Sequence, residues 1–282
     1  MKQFGPLVDA HWLRTHVSDT DLRVIDFRWY LSGRIAADEY AKGHIPGAVF
    51  VDMDRELTAR KGPGRHPLPG GGQIERAMRA AGVNRATRVV VYDDTGGSIA
   101  ARLWWLLRYV AHPNVAVLDG GLQAWTAEGG KLSTDVPVVE EGDFNAGPPR
   151  DGAVVDKEYV AAARDDAHAV LLDARSAERY RGDAEPIDAR PGHIPGARNA
   201  PWSSNLVDGR FAPAEELRAR YQSLGVLDAS DVIVYCGSGV TACHDLLALE
   251  RAGISGAKLY EGSWSDWARD ASLPAACGED RN

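Results

Sequence analysis

Short uninterrupted apolar runs alternate along this chain with longer stretches of helical period. Residues 23–26 (RVID), 89–92 (VVVY) and 116–119 (AVLD) read as fully buried strands. Between them, 74–82 (IERAMRAAG) and 98–111 (SIAARLWWLLRYVA) carry the apolar spacing of helices. The second half follows suit, with 169–174 (AVLLDA), 232–236 (VIVYC) and 257–261 (AKLYE) as strands and 241–253 (TACHDLLALERAG) as a helix that stops at Gly253. Alternating strands and helices predict the α/β class, a mostly parallel sheet with helices on both faces.

The pattern occurs twice. VIDFR (24–28) matches LLDAR (171–175), and GHIPGA at 43–48 returns at 192–197, an offset of 149. VVVYD (89–93) matches VIVYC (232–236) at an offset of 143, and LDGGLQAW (118–125) has a looser echo in LYEGSWSDW (259–267). Four matches in one order predict two tandem copies of one fold. The copies are expected at 1–132 and 153–282. Between them, 133–152 is rich in Pro, Gly and acids and reads as a linker.

Composition narrows the function. The chain has 282 residues, enough for two ordinary domains, and a net charge of −8, which speaks against nucleic-acid binding. No apolar run spans a membrane, and the N-terminus lacks the apolar core of a secretory signal, so a cytoplasmic protein is expected. Three cysteines, Cys236, Cys243 and Cys277, suit neither a disulfide framework nor a zinc site, and no metal or cofactor is expected.

Cys236 ends a buried strand and is followed at once by Gly237, Ser238, Gly239, Val240 and Thr241, where a helix begins. Glycines let backbone N–H groups converge, and a helix N-terminus adds partial positive charge; together they favour an anion at the Cys236 sulfur. Such a cradle suits a thiolate and equally a persulfide, Cys–S–S⁻. Cys243, two turns into the helix, reads as a small buried hydrophobe, and Cys277 as an incidental thiol of the tail. At the position matching Cys236 the first copy has Asp93. A carboxylate cannot carry sulfur, so the first copy is expected to keep the fold without the chemistry.

On these residues the sequence resembles the rhodanese superfamily of tandem-domain sulfurtransferases. Cys236–Ala242 (CGSGVTA) is similar to the loop of 3-mercaptopyruvate sulfurtransferases and lacks the basic residues that follow the cysteine in thiosulfate-preferring members. The resemblance implies an inactive first domain, a catalytic second domain, a site in the cleft between them, and ping-pong transfer through a Cys236 persulfide. Mercaptopyruvate or thiosulfate would be the donor; cyanide, a thiol or a thioredoxin-like protein would accept, and a monomer is expected. It also implies that Arg179 binds the donor's anionic group. A second arginine is usual nine residues on; that position is Asp188, which makes Arg190 the substitute candidate. His193 reads as fixing its Ile-Pro-Gly turn. For His44 the same structural reading stands beside a relay with Ser238 implied by the resemblance, and Trp29 is expected to line the cleft.

Two alternatives compete. A dual-specificity-type phosphatase or arsenate reductase needs arginine six residues after its cysteine, where this chain has Ala242. A non-catalytic rhodanese-like binding module fits the first half but not the second, where the reactive loop is intact.

Overall fold

The computed structural model describes residues 4–279. The chain forms two compact units. The first holds the chain up to Thr58, Pro69–Arg150 and Asp208–Phe211; the second holds Ala59–Leu68, Asp151–Val207 and the chain from Ala212 onward. Among the described residues no helix is long and apolar enough to cross a membrane.

Each unit contains a five-stranded parallel sheet, and the two have the same strand order. In the first, the order is Leu7–Val8, Val115–Leu118, Arg88–Tyr92, Leu22–Asp26, Val49–Phe50. In the second it is Val154–Val155, Lys258–Tyr260, Asp231–Tyr235, Ala169–Asp173, Arg198–Asn199. The central strands, Arg88–Tyr92 and Asp231–Tyr235, are buried on both faces, which explains their unbroken apolar sequences. Asp93 and Cys236 are the first residues beyond them, and helices Ala100–Tyr109 and Ala242–Arg251 follow. The duplication therefore extends to topology. It places a chemically different residue at the same strand end, where open parallel sheets form their sites.

The repeated motifs are structural in both units. Asp26 and Arg28 form a buried ion pair at 2.6 Å, as do Asp173 and Arg175 at 2.6 Å. Each arginine also donates to the carbonyl of the glycine that opens GHIPGA, Gly43 at 3.0 Å and Gly192 at 2.7 Å. His44 stacks on Tyr40 with ring centroids 3.9 Å apart, and His193 on Tyr180 at 3.7 Å. In both motifs the alanine N–H closes the turn onto the isoleucine carbonyl, at 2.9 and 3.0 Å. Gly47 and Gly196 supply the positive φ that the turn requires, 76° and 81°.

The stretch read as a linker is ordered against the first unit. Gly142 N–H donates to Arg79, Phe144 to Val83, Gly147 to Val110 and Arg150 to Tyr109, and Phe144 is buried. The polar composition of 133–152 was a poor guide because this segment is secured mainly through its backbone, which side-chain patterning does not reveal. A second departure is Ala59–Leu68, which lies in the first sequence repeat yet belongs to the second unit.

Candidate active site

The two strand-end loops form a natural comparison. In the first unit the Asp93 carboxylate is completely buried and accepts four backbone N–H groups: Thr95 at 2.9 Å, and Gly97, Ile99 and Ala100 each at 2.8 Å. Burial raises the Asp93 pKa while those amides pull it down. The loop that joins this strand to its helix is thus an anion nest, filled by the chain's own side chain.

In the second unit the matching residue is Cys236, 2% exposed. Among the described residues, no protein group accepts from the N–H groups of Gly237, Ser238, Val240, Thr241 or Ala242. Its backbone is pinned by the GSWSDW element. Cys236 N–H donates to Ser263 Oγ at 3.1 Å, and the carbonyls of Cys236 and Gly237 accept from Trp264 and Ser265 N–H, both at 2.9 Å. Gly239 has φ 77°, and any Cβ there would stand 2.7 Å from the Glu261 carbonyl oxygen, so only glycine fits the loop. Cys243 is buried inside the helix with its thiol on the Gly239 carbonyl; Cys277 is exposed.

Two residues that sequence reasoning passed over complete the site. Both lie in Ala59–Leu68. His66 Nδ1 is 2.7 Å from Ser238 Oγ, with both side chains nearly buried. Arg65 pairs with Asp188 and is held through its backbone N–H by Ser265 Oγ at 3.1 Å. The only sequence signal was a small basic cluster, Arg60, Lys61, Arg65 and His66, in an acidic chain. Nothing in it indicated which unit the segment would join.

The ring that meets Ser238 is therefore His66, not His44. Both nitrogens of His44 are engaged on backbone carbonyls, Nδ1 with Tyr40 at 2.9 Å and Nε2 with Asp135 at 3.1 Å. Arg190, the candidate substitute for a second donor-binding arginine, is instead spent on structure: its Nη2 donates to Leu273 O at 2.7 Å and Asp270 O at 3.1 Å, pinning the C-terminal segment. Trp29 is half-buried in the first unit and donates its indole N–H to Asp54 at 2.8 Å.

Arg179 stands in a chain of ion pairs. It reaches Glu185 and Asp188, both at 2.8 Å, and Glu185 also meets Arg175 at 3.2 Å. A methyl group on Gly237 would stand 2.8 Å from Arg65 Nη2 and 3.3 Å from Arg179 Nη1. Two guanidiniums thus converge on the residue next to Cys236.

Behind the loop lies Asp245, in helix Ala242–Arg251 and fully buried, with one oxygen accepting from Asn205 Nδ2 at 2.7 Å. Burial, opposed chiefly by Arg220, pushes its pKa from an ordinary 3.8 up to about 7. The unfolded chain then releases this proton near pH 4 while the folded one retains it to about 7, so this residue contributes stability at low pH that is lost as pH rises through that window. The expected slope is about 1.4 kcal/mol per pH unit. Urea unfolding at pH 5 and pH 7 should show the decline in the native protein and a markedly flatter response in Asp245→Asn.

Comparison with known proteins agrees with this geometry. The rhodanese-like domain family matches residues 9–128 and 156–270. A Pseudomonas aeruginosa protein described as "Probable 3-mercaptopyruvate sulfurtransferase" is 43% identical over 97% of this chain and 98% of its own length. The Arabidopsis thaliana protein "Thiosulfate/3-mercaptopyruvate sulfurtransferase 2" is 33% identical over 95% of this chain and 86% of its own. The crystal structure of SseA from Escherichia coli, described with the rhodanese fold of 3-mercaptopyruvate sulfotransferases, superposes with a TM-score of 0.83 at 38% identity, covering 92% of this chain and 99% of that one. With one such domain in each half, the chain belongs to the tandem-domain rhodanese family of sulfurtransferases.

Proposed function

We propose that this sulfurtransferase takes sulfur from 3-mercaptopyruvate onto Cys236 and passes it, as a persulfide, to a thiol or to cyanide. The observation that carries the reading is the pair of matching loops. One surrounds the carboxylate of Asp93 with four amides; in the other, next to a cysteine, the N–H groups of Gly237, Ser238, Val240, Thr241 and Ala242 have no protein acceptor among the described residues. A sulfur anion on Cys236 would take the place that the carboxylate holds in the first unit.

In the first half-reaction the Cys236 thiolate attacks the donor sulfur. The donor's C–S bond breaks, its electron pair leaves on the three-carbon fragment as an enolate, and protonation gives pyruvate. The sulfur remains as Cys236–S–S⁻, stabilised by the loop amides as an oxyanion would be. In the second, a thiophile attacks the outer sulfur and Cys236 leaves as thiolate. The His66–Ser238 pair is suited to holding or moving a proton beside this sulfur. Arg179, whose Nε and Nη2 are held by Glu185 and Asp188, keeps Nη1 beside Gly237 for the donor carboxylate. Mercaptopyruvate is favoured over thiosulfate by the loop, which bears no basic side chain after Cys236, and by the likeness to the Pseudomonas aeruginosa protein described as a probable 3-mercaptopyruvate sulfurtransferase.

Side-by-side kinetics with the two donors and cyanide as acceptor test the donor: kcat/KM is expected to be higher for mercaptopyruvate, and a clear preference for thiosulfate would reverse the assignment. His66→Ala is expected to lower kcat by about 100-fold or more if the pair handles a proton, within the usual range for general acid–base groups. An unchanged kcat and pH profile would remove it from the chemistry.

A further inference from the structure

We propose that Ser263 is a positioning residue for the reaction: its hydroxyl grips the N–H of Cys236 and, through that backbone bond, aims the sulfur at the amides of the loop. The inference rests on the reading of Cys236 as the sulfur carrier and adds to it a buried residue that acts through the cysteine's own peptide.

Ser263 is held in a strained conformation. Among the described residues, three besides glycine have positive φ: Ala111, Asp208 and Ser263. Ala111 and Asp208 are exposed, whereas Ser263, at φ 54°, is fully buried. In the left-handed region a Cβ crowds the backbone, and a residue stays there only where its surroundings hold it.

The duplication shows the same position without the chemistry. Aligned on Trp125 and Trp267, Ser263 corresponds to Gly121. Gly121 has nearly the same φ, 56°. The next backbone bond is also the same: Leu122 N–H donates to the Asp93 carbonyl at 2.9 Å, as Trp264 N–H does to the Cys236 carbonyl. In the first unit a Cβ at Gly121 would stand 2.4 Å from the Asp93 carbonyl oxygen, so a side chain is excluded. The fold therefore reaches this conformation with glycine, the residue that adopts it without steric cost. The second unit makes room for a side chain and accepts the strain. Chain reversal alone does not call for a serine there; its hydroxyl does.

That hydroxyl is fully committed. It donates its one hydrogen to the Tyr260 carbonyl at 2.9 Å and accepts from Cys236 N–H at 3.1 Å. Tyr260 ends strand Lys258–Tyr260, which pairs with the strand that Cys236 follows, Asp231–Tyr235. Ser263 thus ties the peptide of Cys236 to the neighbouring strand end, while Trp264 N–H holds its carbonyl. Gripped at both its N–H and its C=O, Cys236 is left one direction for its Cα–Cβ bond before any donor arrives. Among the described residues, the N–H groups of Gly237, Ser238, Val240, Thr241 and Ala242 have no protein acceptor. The amide of Cys236 aims the sulfur, and these others receive it.

The test compares Ser263→Gly with Ser263→Ala in the full chain. Three quantities are read: turnover of mercaptopyruvate with cyanide, the rate of alkylation at pH 7 followed on the Cys236 peptide, and the urea midpoint. Both variants lack the hydroxyl. In both, kcat should fall about 10- to 100-fold, the loss expected when a reacting atom is slightly misplaced, with KM within about threefold of native. Alkylation of Cys236 should slow by about tenfold, the weight of one lost hydrogen bond. Only the Ala variant keeps a Cβ in the left-handed conformation, so its urea midpoint should lie below that of the Gly variant. Activity then follows the hydroxyl and stability follows the Cβ. If the Ala variant does not fold, the Gly variant decides alone. A Gly variant with native kcat would overturn the role of Ser263, as would a rise in KM with kcat unchanged. So would activity that tracks the urea midpoint across the two variants. If instead the native protein takes up no sulfur from mercaptopyruvate, the carrier reading fails, and alkylation at the native rate in the Gly variant would still separately overturn the aiming of this thiol by Ser263.

Discussion

Cys236→Ser should abolish sulfur transfer while leaving the fold intact. Serine is nearly isosteric, and the backbone bonds that hold residue 236 to Ser263 and Trp264 do not involve its side chain, so unfolding free energy is expected to change by about 1 kcal/mol or less. What serine cannot do is carry a sulfane sulfur. The sharpest measurement is intact mass after donor treatment under non-reducing conditions. Native protein should gain one sulfur, about 32 Da, and the serine variant none. Normal turnover in the variant would reject Cys236 as the carrier. A native protein with turnover but no adduct would instead point to direct transfer without a persulfide. Cys243 and Cys277 make the mass experiment more informative than alkylation, since exposed Cys277 reacts with general thiol reagents while the adduct can be located by fragmentation.

The fold was largely legible in the sequence because parallel sheets bury their strands on both faces. Runs such as VVVY and VIVY have no polar side to obscure, and their recurrence alone discloses the duplication. The Cys236 loop was legible for a related reason: local backbone chemistry, a cysteine followed by glycines and a helix start, is written in consecutive residues. The histidine of GHIPGA was legible in part: its presence in both copies pointed to structure, while a relay with Ser238 stood open for His44, and the rings stack on Tyr40 and Tyr180. Legibility failed where the candidate site is assembled from residues distant in sequence. Arg65 and His66 meet Asp188 and Ser238 across separations of 123 and 172 residues, and they come from a Pro- and Gly-rich segment with no periodicity to follow. The same blindness affected Asp188. Read alone, it is an acid where an anion-binding site calls for a base. Placed between two arginines, it is the group that holds them together.

The second large effect concerns backbone rather than nucleophile. Gly239→Ala adds one methyl group far smaller than most substitutions, yet activity should fall by about 100- to 1000-fold, the loss typical when amide donors no longer meet a developing anion. Two costs act together. At φ 77° a Cβ residue is strained by about 1–3 kcal/mol, and the methyl would lie 2.7 Å from the Glu261 carbonyl oxygen, which cannot move without displacing the GSWSDW element that holds Cys236 and Gly237. Gly253→Ala separates these terms. Gly253 has nearly the same φ, 74°, but no atom would lie within 4 Å of the new methyl. It should lose a similar increment of stability from strain while retaining full activity. Turnover of the two variants with mercaptopyruvate, set beside their urea midpoints, distinguishes a loop whose shape is the catalyst from one that merely tolerates glycine. Equal activity in both would mean that the amides around Cys236 do not stabilise its sulfur.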